Sequence, residues 1–461
     1  MQSVKKYDVI IVGCGPAGIF TAIELIKHAK DKFKILMIDK GADIEERKKT
    51  RDYLCGWGGA GAFADGKVNL THEIGGWLND ILAERELKKL IMYVDKIWQE
   101  LAPESIVYMP DDDAVAELKM RARRAHLKLI SYPTRHIGTD KTAQALFRAK
   151  KMLEPYVEIK LKTEVKRILV EDNKVTGIEL SDGEKIHGRY VVVAPGRSGA
   201  KWFVSEVRRL GIPLRINPVD IGVRVEVLSD VLAELTDIQY EPKLIYYSKT
   251  FDDKVRTFCV NPYGFVVKER YEDIVTVNGH SYQNKKSDNT NFAILVTSYF
   301  TWPFKDPIEY GKSIARLANL LSGGSVLVQR LGDLLRGRRS TPERISRSAV
   351  EPTLTDAIPG DISYALPHRI LTDILEMLEA LNKIAPGVYS DHTLLYAVEV
   401  KFYSARVDVT TELEAKGIRN LFAIGDGAGI TRSLAQASAS GVIAARAILR
   451  REGLLKESLL F

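Results

Sequence analysis

The stretch DVIIVGCGPAG at residues 8–18 joins a run of apolar, largely β-branched residues to a glycine-rich turn. Such a continuous apolar run is typical of a parallel strand that is buried on both faces. The segment AGIFTAIELIKHA (17–29) then has helical spacing, and KILMID (34–39) is a second apolar run. The order of these elements predicts a βαβ unit.

The turn carries the pattern G-x-G-x-x-G at Gly13, Gly15 and Gly18. The first glycine permits the tight turn, the second lets the backbone approach a pyrophosphate, and the third allows close packing of helix on strand. Free N–H groups and the positive end of the helix dipole then face the phosphates. Asp39 follows 21 residues after Gly18 and supplies an acid for ribose hydroxyls. The pattern predicts a dinucleotide site, against the alternative of a glycine turn that binds nothing.

A second apolar run near the C-terminus also ends in an acid. LFAIGD (421–426) is followed by GAGI (427–430) and by a helical segment rich in small residues. The carboxylate of Asp426 can bind a ribityl hydroxyl, and the N–H groups of 429–431 can face the flavin pyrimidine, where charge develops on reduction. This segment favours FAD over NAD; the alternative is an ordinary surface acid at a strand end.

With RYVVVAPG (189–196) between them, these motifs resemble the FAD-binding set of the glutathione-reductase-type flavoproteins. Val165 resembles the position in that superfamily whose backbone meets the adenine. Further segments resemble a family of FAD-dependent dehydrogenases of unidentified substrate, and the resemblance covers roughly residues 8–450. These segments are GWGGAGAFADGK (56–67), RLGDLLRGRRS (330–340), LLYAVEVKFYSARV (394–407) and GDGAGITRSLAQASASG (425–441).

The motifs and the resemblance together predict one FAD site and no metal site. The residues expected at the FAD are Gly13, Gly15, Pro16, Ala17, Gly18, Asp39, Lys40, Gly59, Ala60, Lys67, Val165, Ala194, Gly196, Gly425, Asp426, Gly429, Ile430 and Thr431. The middle third contains no second strand–GxGxxG–helix unit. NADH or NADPH is therefore expected at most as a transient electron donor.

The predicted fold class is α/β. Residues 1–210 and 411–461 are expected to form a Rossmann-type FAD domain with a parallel sheet, discontinuous in sequence. Residues 211–410 alternate between apolar and polar positions, as in IGVRVEV and AILVTSYF, with helical segments between. This pattern predicts a mainly antiparallel α+β substrate domain.

Candidate catalytic residues follow from charge and position. Lys67 could stabilise a reduced flavin, against the alternative of a solvated pair with Asp65. Arg339, with its neighbours Arg336 and Arg338, could clamp a carboxylate or phosphate, but a solvated or inter-domain salt-bridge role is favoured. The remaining candidates are Glu399, Lys401 and Tyr403, which share one face of a predicted strand that lines the active site or faces solvent.

Three other residues could take part in catalysis or could have no chemical role. His72 and His136 could act as general acids or bases, but a surface role is favoured. Cys55 could be redox-active beside the flavin, but a small buried thiol is favoured.

The 461-residue chain has 67 Lys and Arg residues against 60 Asp and Glu residues, and a formal net charge of +7. The charges of both signs are interleaved, which favours a Lys/Glu-rich surface of the thermophile type over a nucleic-acid surface. Three scattered cysteines without a C-x-x-C pair predict neither a disulfide framework nor a zinc site. No run approaches the roughly 18 apolar residues of a membrane span, so a cytoplasmic protein is expected.

The predicted function is that of an FAD-dependent dehydrogenase or reductase, which transfers hydride between flavin N5 and a small organic substrate. One alternative is an FAD-dependent monooxygenase. A second alternative is an RNA-acting flavoprotein or flavin-dependent binding module, although the arginine-rich arm and interleaved aromatic and basic residues of RNA-binding modules are missing. The substrate, the electron donor and acceptor and the oligomeric state are not identified by the sequence.

Overall fold

The computed structural model of the protein describes residues 5–50, 52–271, 273–282, 284–301, 303–304 and 306–455. The chain divides into two compact units. The first consists of Met1–Val107, Arg135–Asn217 and Ser404–Phe461, and the second of Tyr108–Thr134 and Pro218–Tyr403. Residues 108–134 thus belong to the second unit, whereas the sequence analysis assigned them to the first domain.

The α-helices, in chain order, are α1 Pro16–Ala29, α2 Ile44–Thr50, α3 Glu84–Leu101, α4 Asp112–Arg124, α5 Thr139–Leu153, α6 Ala200–Arg209, α7 Ser229–Ile238, α8 Pro307–Leu321, α9 Leu331–Leu335, α10 Pro342–Ile345, α11 His368–Asn382 and α12 Leu434–Arg451. The strands are β1 Lys6–Val12, β2 Ile35–Ile38, β3 Lys67–Asn69, β4 Ile106–Tyr108, β5 Leu127–Ile130, β6 Thr134–His136, β7 Val157–Lys160, β8 Val165–Glu171, β9 Lys174–Leu180, β10 Lys185–Val193, β11 Leu214–Arg215, β12 Val219–Leu228, β13 Lys243–Tyr247, β14 Lys254–Asn261, β15 Phe265–Tyr271, β16 Ile274–His280, β17 Asn289–Ser298, β18 Leu327–Arg330, β19 Ile358–Pro359, β20 Leu394–Lys401, β21 Arg406–Val407 and β22 Leu421–Ala423.

The first unit is built on a seven-stranded sheet of order β7-β2-β1-β10-β9-β8, with β22 paired to β10. Strands β7, β2, β1, β10 and β22 run parallel, while β9 and β8 are antiparallel. The strands β1, β2 and β22 are apolar and almost entirely buried, as expected of a sheet covered on both faces. The prediction of an α/β fold with a parallel Rossmann-type sheet is confirmed.

Two connections of the first unit change direction. Residues 157–171 form two strands, because β7 pairs in parallel with β2 whereas β8 turns back antiparallel to β9. Helix α3 begins at Glu84. Before it, Leu78–Asp80 form a single 3-10 turn, and the Trp77 amide donates to the Ile430 carbonyl.

The second unit contains an eight-stranded sheet of order β19-β18-β20-β12-β17-β14-β13-β5. All of its pairs are antiparallel except β18 with β19. In β12 the residues Val219, Ile221 and Val223 join a core that also contains residues of helices α8 and α11. The alternate positions of β12 carry charged residues on the opposite face. The antiparallel character predicted for this region is confirmed.

No helix in the described part of the chain is both long enough and apolar enough to cross a bilayer.

Candidate active site

Three sequence motifs meet at the carboxyl edge of the first sheet. Strand β10 lies between β1 and β22, so that Val193 pairs with Val12 on one side and with Ala423 on the other. Just beyond these pairs, the Ala194 amide donates to the Val12 carbonyl at 2.7 Å, and the Ile424 amide donates to the Val193 carbonyl at 3.0 Å. The glycine turn after β1, the turn at residues 194–196 after β10 and the Asp426 loop after β22 therefore start side by side.

The glycine turn has the contacts that a diphosphate cradle requires. A Cβ atom on Gly13 would lie 2.0 Å from the Ala194 carbonyl oxygen, and one on Gly18 would lie 2.1 Å from the Gly13 carbonyl oxygen. A Cβ atom on Gly15, at the start of α1, would meet no atom closer than Gly59 Cα at 3.8 Å. Protein packing thus explains Gly13 and Gly18, while the open space at Gly15 beside a helix N-terminus fits a phosphate.

Asp39 orders three loops around the end of β2. Its carboxylate accepts hydrogen bonds from the amides of Cys14 at 2.9 Å, Gly41 at 2.9 Å and Gly56 at 2.8 Å. Its own carbonyl accepts the amide of Thr163 at 2.9 Å, two residues before Val165. An ionised carboxylate has about four acceptor positions, so capacity remains for a ribose hydroxyl.

Arg47 holds the glycine-rich loop that follows residue 55, and sequence analysis missed it. Its guanidinium is fully buried and donates to the carbonyls of Trp57 at 2.5 Å and Gly59 at 2.8 Å. The Gly58 amide in turn donates to the Cys14 carbonyl at 2.7 Å, and a Cβ atom on Gly59 would lie 3.0 Å from Gly15 Cα. Arg47 therefore fixes Gly59 and Ala60 against the glycine turn.

The loop around Asp426 is folded onto the same edge. Burial raises the pKa of the Asp426 carboxyl, and it accepts a hydrogen bond from the Thr431 hydroxyl at 2.8 Å. Gly429 has a φ of +72°, and a Cβ atom there would lie 2.6 Å from the Ser404 carbonyl oxygen. The Gly425 amide donates to the Ser440 hydroxyl of α12 at 3.2 Å. The loop is thus held by both its side chains and its backbone.

The other residues predicted at the FAD lie in this unit as well. Pro16 and Ala17 form the first turn of α1, and Gly196 follows the Ala194 turn. Lys40 is exposed and donates to the Ser198 carbonyl at 3.3 Å. The structure brings these residues to one region, and their contact with FAD stays a prediction.

Lys67 is buried rather than solvated. Its ammonium lies 3.3 Å from Asp65 Oδ2, and its amide donates to Asp65 Oδ1 at 3.3 Å. His136 is also buried, which the favoured surface role did not foresee. His72, the other candidate histidine, has Nε2 3.4 Å from Glu84 Oε1.

Cys55 lies in an environment that keeps its thiol protonated. Its Sγ donates to Asp52 Oδ2 at 3.0 Å. Burial, this hydrogen bond and the Asp52 charge raise the pKa of Cys55 to about 11. A thiol with this pKa is almost entirely protonated at neutral pH and is a weak nucleophile.

The second unit contains a buried polar sheet face, here called the polar face, which includes Asp220, Arg224, Arg256, Glu399 and Lys401. Arg224 binds both carboxylate oxygens of Glu399, at 2.8 and 2.7 Å, and both side chains are fully buried. Lys401 Nζ lies 3.0 Å from Glu399 Oε1. Glu399 and Lys401 thus share a face as predicted, and that face is not exposed to solvent.

Tyr403 and Arg256 complete the polar face. The Tyr403 hydroxyl donates to Asp220, and Arg256 Nη2 donates to both Asp220 and the Tyr403 hydroxyl, the latter at 2.8 Å. The Arg256 guanidinium also lies 4.9 Å from the ring centre of Phe258. Among the residues that the structure describes, none accepts a hydrogen bond from Arg256 Nε or Nη1. Several donors of a largely buried guanidinium are therefore available for a ligand.

The sequence carried a signal for the residues that were missed on this face. The pattern VDIGVRVEV (219–227) places charges at Asp220, Arg224 and Glu226, between apolar residues. Sequence analysis took this alternation as an ordinary strand pattern, without assigning the charged positions to a site. All three side chains are buried, and Arg224 is paired with a strand more than 170 residues away.

The predicted arginine cluster lies elsewhere on the second unit. Arg336, Arg338 and Arg339 are exposed. Arg336 pairs with Asp391 at 2.8 Å, and Arg338 pairs with Asp333 at 2.9 Å. Arg336 and Arg338 are thus exposed and form salt bridges, but within the second unit rather than between domains, and Arg339 is not among the residues of the polar face. Within the described residues, no three His, Cys, Asp or Glu side chains are placed to hold a metal ion.

Two known families match parts of the chain. Residues 8–267, more than half of the chain, match the family described as FAD dependent oxidoreductase. The chain belongs to this family. Residues 218–402 match a second family, described as FAD-dependent protein, C-terminal domain-like. The predictions of FAD as the cofactor and of an FAD-dependent oxidoreductase family enzyme are confirmed.

Individual relatives are distant. The chain is similar to an uncharacterized protein of Clostridium beijerinckii, at 25% identity over 479 residues, which cover 97% of this chain and 81% of that protein. It also resembles the solved structure of L-proline dehydrogenase from P. horikoshii, with a TM-score of 0.44, 13% identity and coverage of 99% and 96% of the two chains. Glycine oxidase from Bacillus cereus aligns with a TM-score of 0.39, 14% identity and coverage of 98% and 97%.

Proposed function

We propose that this enzyme is an FAD-dependent dehydrogenase of a small organic substrate that bears a carboxylate, and that Arg256 receives this carboxylate. The observation that carries the proposal is the hydrogen bonding of the Arg256 guanidinium. One of its nitrogens is held by Asp220 and Tyr403, while Nε and Nη1 have no hydrogen-bond partner among the described residues. Nε and Nη1 can each donate a separate charge-assisted hydrogen bond to a carboxylate oxygen.

The first unit would hold the FAD. Gly15 and the N-terminus of α1 would receive the diphosphate, Asp39 a ribose hydroxyl and Asp426 a ribityl hydroxyl. The amides of 429–431 would face the pyrimidine end of the flavin. The bound flavin supplies hydride acceptance at N5. The space that a Cβ atom would fill at Gly15 supports this assignment.

On the polar face, the chain's own residues would bind, orient and exchange a proton. Asp220 and Tyr403 hold the Arg256 guanidinium in place, and the Phe258 ring packs against it. Glu399 is fixed by Arg224 on both oxygens and in turn orients Lys401. The Lys401 ammonium would then be the group that gives a proton to the substrate or takes one from it.

The proposal is tested with the purified holoprotein under anaerobic conditions. Amino acids and 2-hydroxy acids are added in parallel with the matching amines and alcohols, which lack the carboxylate, and with NADH and NADPH. We expect flavin bleaching with one or more of the carboxylates and not with their neutral or cationic analogues. Bleaching by a pyridine nucleotide alone, or equal bleaching by the analogues, would contradict the proposal.

A matched pair of variants tests Arg256 itself. Arg256→Met should raise the KM for the bleaching carboxylate at least about tenfold, because a charge-assisted hydrogen bond is lost. Arg339→Met removes an exposed arginine of the same unit and should leave KM unchanged. Equal KM values in wild type and Arg256→Met would exclude the assigned role. A hydroxylated product that forms only with oxygen would instead favour the monooxygenase.

A further inference from the structure

The first unit contains a group of titratable side chains that the proposed FAD contacts do not use. Lys67 and His136 are buried, and the Asp65 side chain is 19% exposed. Burying an ammonium group is costly unless it is paired and hydrogen-bonded. The Lys67 ammonium is paired with Asp65, so its buried charge has a counter-charge beside it.

The segment that carries Lys67 touches both cofactor motifs. Before Lys67, a Cβ atom on Gly61 would lie 2.7 Å from the Pro16 ring, at the start of α1. After Lys67, a Cβ atom on Gly75 would lie 2.2 Å from the Ser433 hydroxyl, at the start of α12. Lys67 thus lies between two anchor points, one beside the glycine turn and one beside the Asp426 loop.

Asp65 binds Lys67, and His136 lies beside the turn that joins them. Asp65 binds both the ammonium and the amide of Lys67, each at 3.3 Å. The Ile137 amide donates to the Gly66 carbonyl at 2.8 Å, which brings His136 next to the Asp65–Lys67 turn. A Cβ atom on Gly66 would lie 2.6 Å from the Gly138 amide nitrogen, so the turn packs closely against the segment that carries His136.

The charges of Lys67 and His136 favour the ionised form of Asp65. Burial alone would raise the pKa of Asp65, but the Lys67 charge, the Lys67 amide and the charge of His136 outweigh burial and lower it. Asp65 is therefore ionised at neutral pH and keeps a counter-charge beside the lysine. A fixed ammonium in a low-dielectric site interacts more strongly with a developing negative charge than it does in water.

We propose that Asp65 is a positioning residue that holds the Lys67 ammonium, with His136 supporting Asp65, and that this ammonium stabilises the reduced flavin. The inference rests on the proposed FAD site. A hydride that reaches the flavin brings two electrons and one proton, and it leaves one added negative charge on the ring. Lys67 balances this charge electrostatically and keeps its own proton, so no further reactant is needed.

The test is the affinity of the protein for reduced FAD relative to oxidised FAD, read as the midpoint potential of the bound flavin. Lys67→Met should weaken the binding of reduced FAD about tenfold relative to oxidised FAD, which lowers a two-electron potential by about 30 mV. Lys67→Arg keeps the charge and should restore the ratio to within about twofold of wild type. Asp65→Asn and His136→Gln should shift it in the same direction as Lys67→Met, by smaller factors.

Asp95→Asn is the matched control. It breaks another buried ion pair of the first unit, in which Asp95 binds Arg135 at 2.6 and 2.9 Å. It should lower the melting temperature and leave the affinity ratio unchanged. An unchanged ratio in both Lys67→Met and Asp65→Asn, or an equal shift in Asp95→Asn, would overturn the inference. A wild-type protein that binds no FAD would instead refute the proposed function.

Discussion

Gly441 of helix α12 packs against Ala17 of helix α1 so closely that a Cβ atom at position 441 would lie 2.1 Å from the Ala17 carbonyl oxygen. The Thr21 hydroxyl also donates to the Gly441 carbonyl at 3.2 Å. The two ends of the sequence are joined at this contact, which sets the first turn of α1 against the helix that follows the Asp426 loop.

Gly441→Ala should therefore destabilise the first unit and weaken FAD binding. The clash is with backbone atoms that cannot rotate away, and overpacking of this kind costs about 3 kcal/mol. Thermal unfolding and FAD titration measure the two effects. Ser205→Ala, at an exposed position of α6, is the control and should change neither. A Gly441→Ala protein as stable as wild type would show that the two helices are not in this contact.

Arg47 should matter for FAD affinity although no phosphate contact is assigned to it. In Arg47→Leu the carbonyls of Trp57 and Gly59 lose their buried donors, and each unsatisfied group costs about 1–3 kcal/mol. We expect the dissociation constant for FAD to rise at least about tenfold, measured by quenching of flavin fluorescence. Lys49→Met, on the exposed side of the same helix, should have no effect. Comparable affinities in both variants would remove Arg47 from the site.

The Arg224–Glu399 pair should behave as one unit. Removing one partner leaves an unpaired buried charge, so Glu399→Gln and Arg224→Met should each destabilise the second unit by about 3–5 kcal/mol. The double variant should cost much less than the sum of the two single changes. Chemical unfolding of all four proteins completes the cycle. Strictly additive losses would mean that the two side chains do not interact.

Asp373 of α11 predicts a dependence of stability on pH. Its side chain is fully buried, and burial, helped by the nearby Asp253 and opposed by Ser248 and Arg369, raises its pKa from 3.8 to about 6. Because the pKa in the folded protein exceeds that of the unfolded chain, the stabilisation is complete below about pH 4. It is lost as the pH rises through 6.

Asp373→Asn carries no charge at any pH and should abolish this dependence. At pH 8 it should be more stable than wild type, by about 3 kcal/mol, whereas at pH 4 the two proteins should be alike. Melting temperatures across pH 4–8 provide the measurement. Asp237→Asn, at an exposed acid of α7 in the same unit, is the control. Parallel pH profiles for wild type and Asp373→Asn would contradict the expected shift.

The cofactor site could be predicted from the sequence because its chemistry is local. Gly13, Gly15 and Gly18 lie within one turn, and Asp39 ends the next strand, so spacing alone places them together. The C-terminal motif required the resemblance as well, since no local pattern shows that β22 pairs with β10. Arg47 was missed because it lies in the charged run EERKKTR (45–51), which is typical of a solvated helix.

The polar face could be predicted only in part. Side chains alternate between the two faces of a strand, which predicts that Glu399 and Lys401 lie on the same side of β20. The distance of 3.0 Å between Lys401 Nζ and Glu399 Oε1 agrees with this. The partners of these residues come from β12 and β14, and sequence spacing carries no information on which distant strands become neighbours. For the same reason, sequence analysis did not assign Arg256 to this face. Its partners in the fold, Asp220 and Tyr403, lie 36 and 147 residues away in the sequence.

The central claim is that the glycine turn and the Asp426 loop together hold one FAD. Titration of the refolded or stripped protein with FAD, compared between wild type and Gly15→Ala, tests it most directly. Gly15 has a φ of −81°, and a Cβ atom there would lie 3.8 Å from the nearest atom, so alanine fits the fold and its methyl group enters only the diphosphate space. We predict one FAD per chain for wild type, and for Gly15→Ala an unchanged melting temperature without FAD and weaker FAD binding. Equal FAD affinity in the two proteins would contradict the account.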